Sequence, residues 1–289
     1  MRSTDGVLLI DKPAGLTSHD VVAVARRALG ERRVGHTGTL DPFATGLLVL
    51  LCGRATRLLP YVEGEPKEYE ALIAFGAETD TDDVTGTVTR TAPPPSRAGI
   101  EVALARLTGR IQQEPPAYSA KQVDGRRAYR AARRGTPLAL PRAAVTVHEW
   151  RLHHVPHDGS AETLTATIVC SGGTYVRALA RDLGRLANSA AHLAALRRAR
   201  SGTFHVRDAQ PLEEITAGQA RVLPPLAALP SLPVQPLDAE ASGRVARGMR
   251  VDATRSGERA ALVDAGGHLL AIGERIGESW QPRVVMRDG

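Results

Sequence analysis

GHTGTLDPFATGLLVL, residues 35–50, joins a polar, glycine-punctuated segment to a continuous apolar run. Gly35, Gly38 and Gly46 permit backbone paths that bulkier residues obstruct. LLVLL, 47–51, has no polar break and predicts a buried strand. A rigid strand with polar groups on its entry loop is a common place for chemistry, which singles out His36, Thr37, Thr39 and Asp41. Asp41 precedes Pro42, and taken alone that pair reads as a helix start, Asp as N-cap and Pro at the first helical position.

Upstream, GVLLIDKP, 6–13, predicts a short buried strand. Ser18 then reads as an N-cap. Val21, Val22, Val24, Ala25, Ala28 and Leu29 form the helical stripe that follows, and Gly30 stops it. Downstream, YEALIAFG, 69–76, predicts a strand. TDTDDVTG, 79–86, is a polar turn before the short strand TVTR. A helix is expected near 97–107, strands near 145–155 and 163–170, a helix from Thr174 to about Ala187, a second helix near 191–198, and a strand at 203–206. Residues 122–142 read as a basic helix and loop. PPLAALPSLPVQP, 224–236, reads as a linker, and the glycine-separated runs AALVD and HLLAIGERI predict a small β domain. Strands and helices alternate without a regular βαβ rhythm, so the fold class is α+β rather than a doubly wound sheet.

Composition narrows the chemistry. The 289 residues are 43% apolar and carry a formal charge of +6, with a pI of about 9.8, consistent with a polyanionic partner. Lysine occurs only at 12, 67 and 121, the remaining basic residues apart from histidine being arginine. Cys52 and Cys170 form no CxxC pair, so neither a zinc site nor a disulfide framework is expected, and two distant thiols fit a reducing, cytoplasmic compartment. The opening MRSTDGVLLIDKPAG does not read as a signal peptide, and no apolar run reaches the roughly 18 residues that span a bilayer. No GxGxxG follows a strand and no GxxxxGK[ST] is present, so no dinucleotide or nucleoside-triphosphate site is indicated. His153, His154 and His157 make an HHxxH cluster, and no metal is expected there. In the basic segment, Arg126, Arg127 and Arg130 surround Tyr129 and predict an RNA-contacting element.

GHTGTLDPFATG resembles the catalytic motif of the bacterial tRNA pseudouridine-55 synthases. Further segments are similar to that family and stand in its order. They are DKPAGLTSHDVV at 11–22, KEYEALIAFGAETDTDDVTG at 67–86, QQEPPAYSAKQVDGRRAYRAARRG at 112–135, CSGGTYVRALARDLG at 170–184 and HLAALRRARSGTF at 192–204. The resemblance implies a catalytic domain over 1–232, with a central mixed, largely antiparallel sheet flanked by helices and the basic insertion 122–142. It also implies a small C-terminal domain of the PUA type over 233–289, which touches the tRNA acceptor region. Implied too is the isomerisation of a T-loop uridine to pseudouridine, by base flipping, Asp-dependent glycosidic cleavage and C–C bond formation. No electrons or phosphates are exchanged, so no cofactor is needed.

By the same resemblance Asp41 is the catalytic carboxylate, as nucleophile or as the base that starts cleavage. Arg177 is the cation that keeps it charged, and Tyr69 stacks on the uracil and removes the C5 proton. Asp83 contacts the uridine, Tyr175 and Leu196 wall the pocket, His36 fills the space the base vacates, and Lys12 packs or supports nearby. Lys67, two residues before Tyr69 on a strand, would share its face. The partner implied is the T-stem and loop of tRNA, with no membrane and no metal, and the chain is taken to act as a monomer. The alternative from a different class is a non-catalytic RNA-binding or tRNA-folding protein using the same groove. A third reading, a nucleoside glycosidase, would ask for a paired carboxylate.

Overall fold

A computed structural model of the protein describes residues 4–119, 122–123, 126–127, 136, 138, 140–154 and 161–286. They divide into two compact units, Met1–Pro42 with Leu47–Gly64 and Thr203–Gly289, and Phe43–Gly46 with Glu65–Gly202.

In the first unit the apolar run 47–51 is buried throughout, as a both-sided strand should be. It belongs to the strand Thr45–Cys52 and pairs antiparallel with Val34–His36, setting His36 opposite Leu50. Gly6–Lys12 pairs in parallel with Gln210–Pro211. On one side, Leu8, Ile10, Leu48 and Leu50 pack against Val21, Val22 and Ala25 of the helix Ser18–Leu29 and against Leu212 and Ile215. That helix is capped by Thr17, one residue earlier than expected. The Thr17 side chain accepts from the Asp20 amide while the Asp20 carboxylate accepts from the Thr17 amide, a closed capping box. Ser18 is thereby released for another role.

On the other side, Val7, Leu9, Leu47, Val49 and Leu51 pack with Ala261, Leu269, Ile272 and Val284. These last four belong to a five-stranded sheet made from Val234–Pro236, Val251–Asp252, Arg259–Val263, Leu269–Ile276 and Ser279–Val285. Its opposite face buries Leu262, Ala271 and Trp280 against Leu237 and Val245. Trp280 donates its indole N–H to Gln235 at 2.6 Å, satisfying the polar edge of a fully buried ring. Arg54 pins the end of this sheet, with its guanidinium on Asp5 Oδ2 and on the Met286 carbonyl, each at 2.6 Å. The proline-rich stretch before the sheet is not a free linker. Pro225–Ala228 forms a 3-10 turn, and Ala228 and Leu229 are buried in the same core, because leucine and alanine side chains at these positions have apolar surface to cover.

In the second unit Lys67–Phe75 lies between Thr163–Cys170 and Ala191–Ser201, antiparallel to both. Ala143–His154 and Gly109–Gln113 continue the sheet antiparallel, while Thr45 and Gly46 add a parallel pairing to Arg197 and Arg198. With the helices Arg97–Arg106 and Val176–Leu186, this is the mixed, largely antiparallel sheet and α+β class expected. One element differs. Residues 191–201 are a strand and not a helix. Bulges at Leu193/Ala195 and Arg198/Arg200 break the two-residue alternation, so that buried positions fall at 191, 193, 196, 198 and 201. That spacing, in a segment rich in Ala, Leu and Arg, imitates a helical stripe.

The basic segment begins as a hairpin rather than as a helix, Gln122–Val123 pairing antiparallel with Arg126–Arg127. Arg130 and the other residues of 128–135, within the helix and loop expected over 122–142, lie outside the described residues. Among the described residues no helix is long and apolar enough to cross a membrane.

Candidate active site

The bland reading of Asp41-Pro42 fails, because no helix follows. The chain bends through Pro42 and Phe43 and enters the strand at Thr45. What holds this corner is a set of backbone carbonyls and amides bracketed by side chains from the first strand and helix. Ser18 Oγ accepts from the Leu40 amide at 2.8 Å and donates to the Leu40 carbonyl at 3.1 Å. Lys12 is fully buried, and its ammonium donates to the carbonyls of Pro13 at 2.8 Å, Leu16 at 2.7 Å and Pro42 at 3.3 Å. The Gly15 amide also donates to the Pro42 carbonyl at 2.8 Å. Asp41 is therefore gripped on both sides, its predecessor by Ser18 and its successor by Lys12. Lys12, expected to pack or support nearby, donates to the carbonyl next to Asp41, and Ser18, read from the sequence only as a helix cap, holds the other side. His36 ends its short strand with its ring edge-on to His19, the centroids 5.6 Å apart.

Past the bend, Gly46 has a φ of +97°, and a Cβ there would lie 2.4 Å from the Arg198 carbonyl. Only glycine fits this left-handed, close approach. Thr45 Oγ1 reaches the Leu196 carbonyl at 3.5 Å.

In the second unit, Tyr69 lies on the buried face of its strand with Ala71, Ile73 and Phe75, opposite Ile168 and Arg198. Leu196 is buried beside it, opposite Ala71. Lys67 pairs across to Cys170 and Ser201. Burial, helped by the nearby Arg198 charge, draws the Lys67 ammonium below its ordinary pKa. Burial likewise pushes the Cys170 thiol up to about 11, which keeps it protonated and inert.

Tyr175 caps the Val176–Leu186 helix without a side-chain cap bond of its own. Gln113 instead holds the backbone of Tyr175 itself, accepting from its amide at 2.8 Å and donating to its carbonyl at 3.0 Å. Gln113 was not singled out in the sequence, since glutamine in a polar stretch carries no signal. Arg177 is thus the second residue of a helix, where the dipole disfavours a cation. Its guanidinium is nevertheless buried, because Nη1 donates to the Thr81 carbonyl at 2.8 Å, Nη2 donates to the Tyr118 carbonyl at 2.9 Å, and Asp83 Oδ2 lies 3.4 Å away. Asp83 Oδ1 accepts from Thr81 Oγ1, the Thr85 amide and Thr85 Oγ1 at 2.5–2.9 Å, so the polar turn organises its own carboxylate and turns one oxygen toward Arg177. The expected residues therefore fall into two groups. Lys12, His36 and Asp41 belong to the first unit, and Tyr69, Asp83, Tyr175, Arg177 and Leu196 to the second.

His153 Nε2 meets Thr167 Oγ1 at 2.7 Å, and His157 lies outside the described residues. Among the described residues, no group of three or more His, Cys, Asp or Glu is placed to hold a metal.

Comparison with known proteins places this arrangement. Residues 26–176 match the family described as TruB family pseudouridylate synthase (N terminal domain). The chain is 44% identical over 288 residues to tRNA pseudouridine synthase B of Thermobifida fusca, covering 97% of this chain and 98% of that protein. It is 46% identical over 247 residues to tRNA pseudouridine synthase B of Symbiobacterium thermophilum, covering 85% and 82%. Among solved structures, an H/ACA RNP bound to a substrate RNA containing 2′-deoxyuridine superposes with a TM-score of 0.72 at 20% identity, covering 99% of this chain and 86% of that one, a likeness of fold. A protein matching that family over half its length, and its bacterial relatives almost end to end, is a member of it: the chain belongs to the TruB family of pseudouridylate synthases.

Proposed function

We propose that this protein isomerises uridine to pseudouridine in tRNA, and does so at position 55 of the T-loop with Asp41 as the catalytic carboxylate. The near end-to-end identity to tRNA pseudouridine synthase B carries the reading, and the clamp around Asp41 supports it. The N1–C1′ bond of the target nucleotide breaks, the uracil turns, and C5 bonds to C1′, so that substrate and product have the same atoms. Asp41 acts at the sugar as nucleophile or as base, and either role requires an ionised carboxylate held in a fixed place. Arg177, buried and fixed by two carbonyls and Asp83, supplies the positive charge that keeps it so. Tyr69 stacks on the uracil and takes the C5 proton. Tyr175 and Leu196 wall the base, and His36 occupies the space it leaves. Drawing the nucleotide from its stack costs a few kcal/mol, met by contacts to the everted base.

The domain boundary belongs to the same proposal, with a catalytic domain over 1–232 and a PUA-type domain over 233–289 that reaches the acceptor region. Arg126, Arg127 and Arg130 contact the RNA backbone, and the protein acts as a monomer in the cytoplasm. An unmodified tRNA transcript tests the substrate: one pseudouridine per molecule is expected, and none on a transcript with cytidine at position 55. Equal product from both transcripts would reject the assigned position.

A further inference from the structure

Arg177, Arg181 and Arg185 recur every fourth residue along one helix, and so stack on one face. Each meets an acid from the strand and turn at 78–83. Arg177 faces Asp83. Arg181 Nη1 donates to Asp82 Oδ2 at 2.8 Å. Arg185 grips both oxygens of Glu78 at 2.7 and 3.0 Å. The side chains of the first two pairs are 5–10% exposed, whereas Arg185 is 54% exposed, so the ladder runs from the interior outward.

The middle rung touches no proposed substrate group, yet it ties together both walls of the Arg177 cradle. One wall is the turn that supplies the Thr81 carbonyl and the Asp83 carboxylate. Asp82 sits between those two residues at a φ of +59°, a left-handed conformation that an aspartate tolerates but does not favour. Its carbonyl accepts from the Leu193 amide at 3.1 Å, and its carboxylate is taken by Arg181. The other wall is the segment that ends in the Tyr118 carbonyl. Arg181 Nη2 donates to that segment at the Glu114 carbonyl, 2.9 Å away, and its Nε is taken by Asp182.

We propose that Asp82 and Arg181 are a positioning pair for Arg177, the single guanidinium of Arg181 setting the separation of the two walls that hold the catalytic one. The inference rests on the catalytic reading of Arg177. Displacing either wall moves at least one of the carbonyls that fix the Arg177 guanidinium, without touching the tRNA.

Single-turnover pseudouridine formation on an unmodified tRNA transcript tests it. Asp82→Asn keeps a side chain that tolerates the left-handed conformation and removes the charge. It is expected to lower the rate constant about tenfold, with tRNA affinity changed less than about twofold. In an Arg177→Lys background, the same change is expected to lower the rate less than about twofold further, because residues acting as a unit are not additive. Asp82→Asn with Arg181→Met leaves no buried orphan charge, and is expected to recover thermal stability but not the rate. A wild-type rate in either variant, or a full additive loss in a crippled Arg177→Lys background, would overturn the inference alone. A wild-type rate in Arg177→Lys itself would overturn the catalytic reading and the inference with it.

Discussion

In the proposed reaction the chemistry falls on one carboxylate, Asp41, whose neighbours along the chain are locked. Lys12 shows how much of that lock is ordinary physical chemistry. A fully buried ammonium must be saturated with acceptors, and three carbonyls supply them. Lys12→Met keeps the bulk and removes the ammonium from those carbonyls, of which that of Pro42 retains the Gly15 amide. It is expected to lower stability by about 3 kcal/mol and the rate of pseudouridine formation with it, read by urea unfolding and single turnover. A variant as stable as wild type would return Lys12 to a packing role. The motif made Lys12 and Asp41 visible in the sequence. The hold of Ser18 on Leu40, beyond its reading as a cap, and that of Gln113 on Tyr175 were not visible, because each acts on backbone groups brought near by folding, more than 20 residues away.

Asp82 provides a second test. Burial raises its carboxyl to about 6 from an ordinary 3.8, against the pull of Arg181, Arg177 and Arg185 and with Asp182 adding to the rise. The folded state therefore favours the protonated acid. Its contribution to stability is fully present below 3.8 and is lost as pH rises through 6. Wild type is expected to gain about 1 kcal/mol on Asp82→Asn between pH 8 and pH 5 in urea unfolding. A gap that stays constant would mean the ion pair balances burial, and one that moves the other way that it outweighs burial.

Elements were legible where their period was clean. The strand at 47–51 and the helix after Thr17 announce themselves by an unbroken apolar run and a 3.6-residue stripe. The strand Ala191–Ser201 did not, because two bulges shift its phase and leave a helix-like spacing in helix-forming residues. Its pairing with Lys67–Phe75 along nine positions overrides local propensity. The arginine ladder was legible as a four-residue period, yet it was read only at its first rung, the one carried by the motif. The basic segment belongs at this scale too. Replacing Arg126, Arg127 and Arg130 with Gln is expected to flatten the slope of log affinity for tRNA against log salt by about 2, at roughly 0.7–0.9 per lost phosphate contact. An unchanged slope would make that segment a solvated surface.

For the whole molecule, the family relationship runs nearly end to end, and the proposed catalytic groups are distributed over both compact units, Asp41 in one and Tyr69 and Arg177 in the other. The carboxylate is the simplest point to interrogate, since Asn preserves its shape and its place in the clamp while abolishing its charge. The direct measurement is pseudouridine content of an unmodified tRNA transcript after incubation with wild type or Asp41→Asn, alongside tRNA affinity. Product with wild type, none with the variant, and equal affinity for both are expected. Undiminished product from Asp41→Asn would contradict the account.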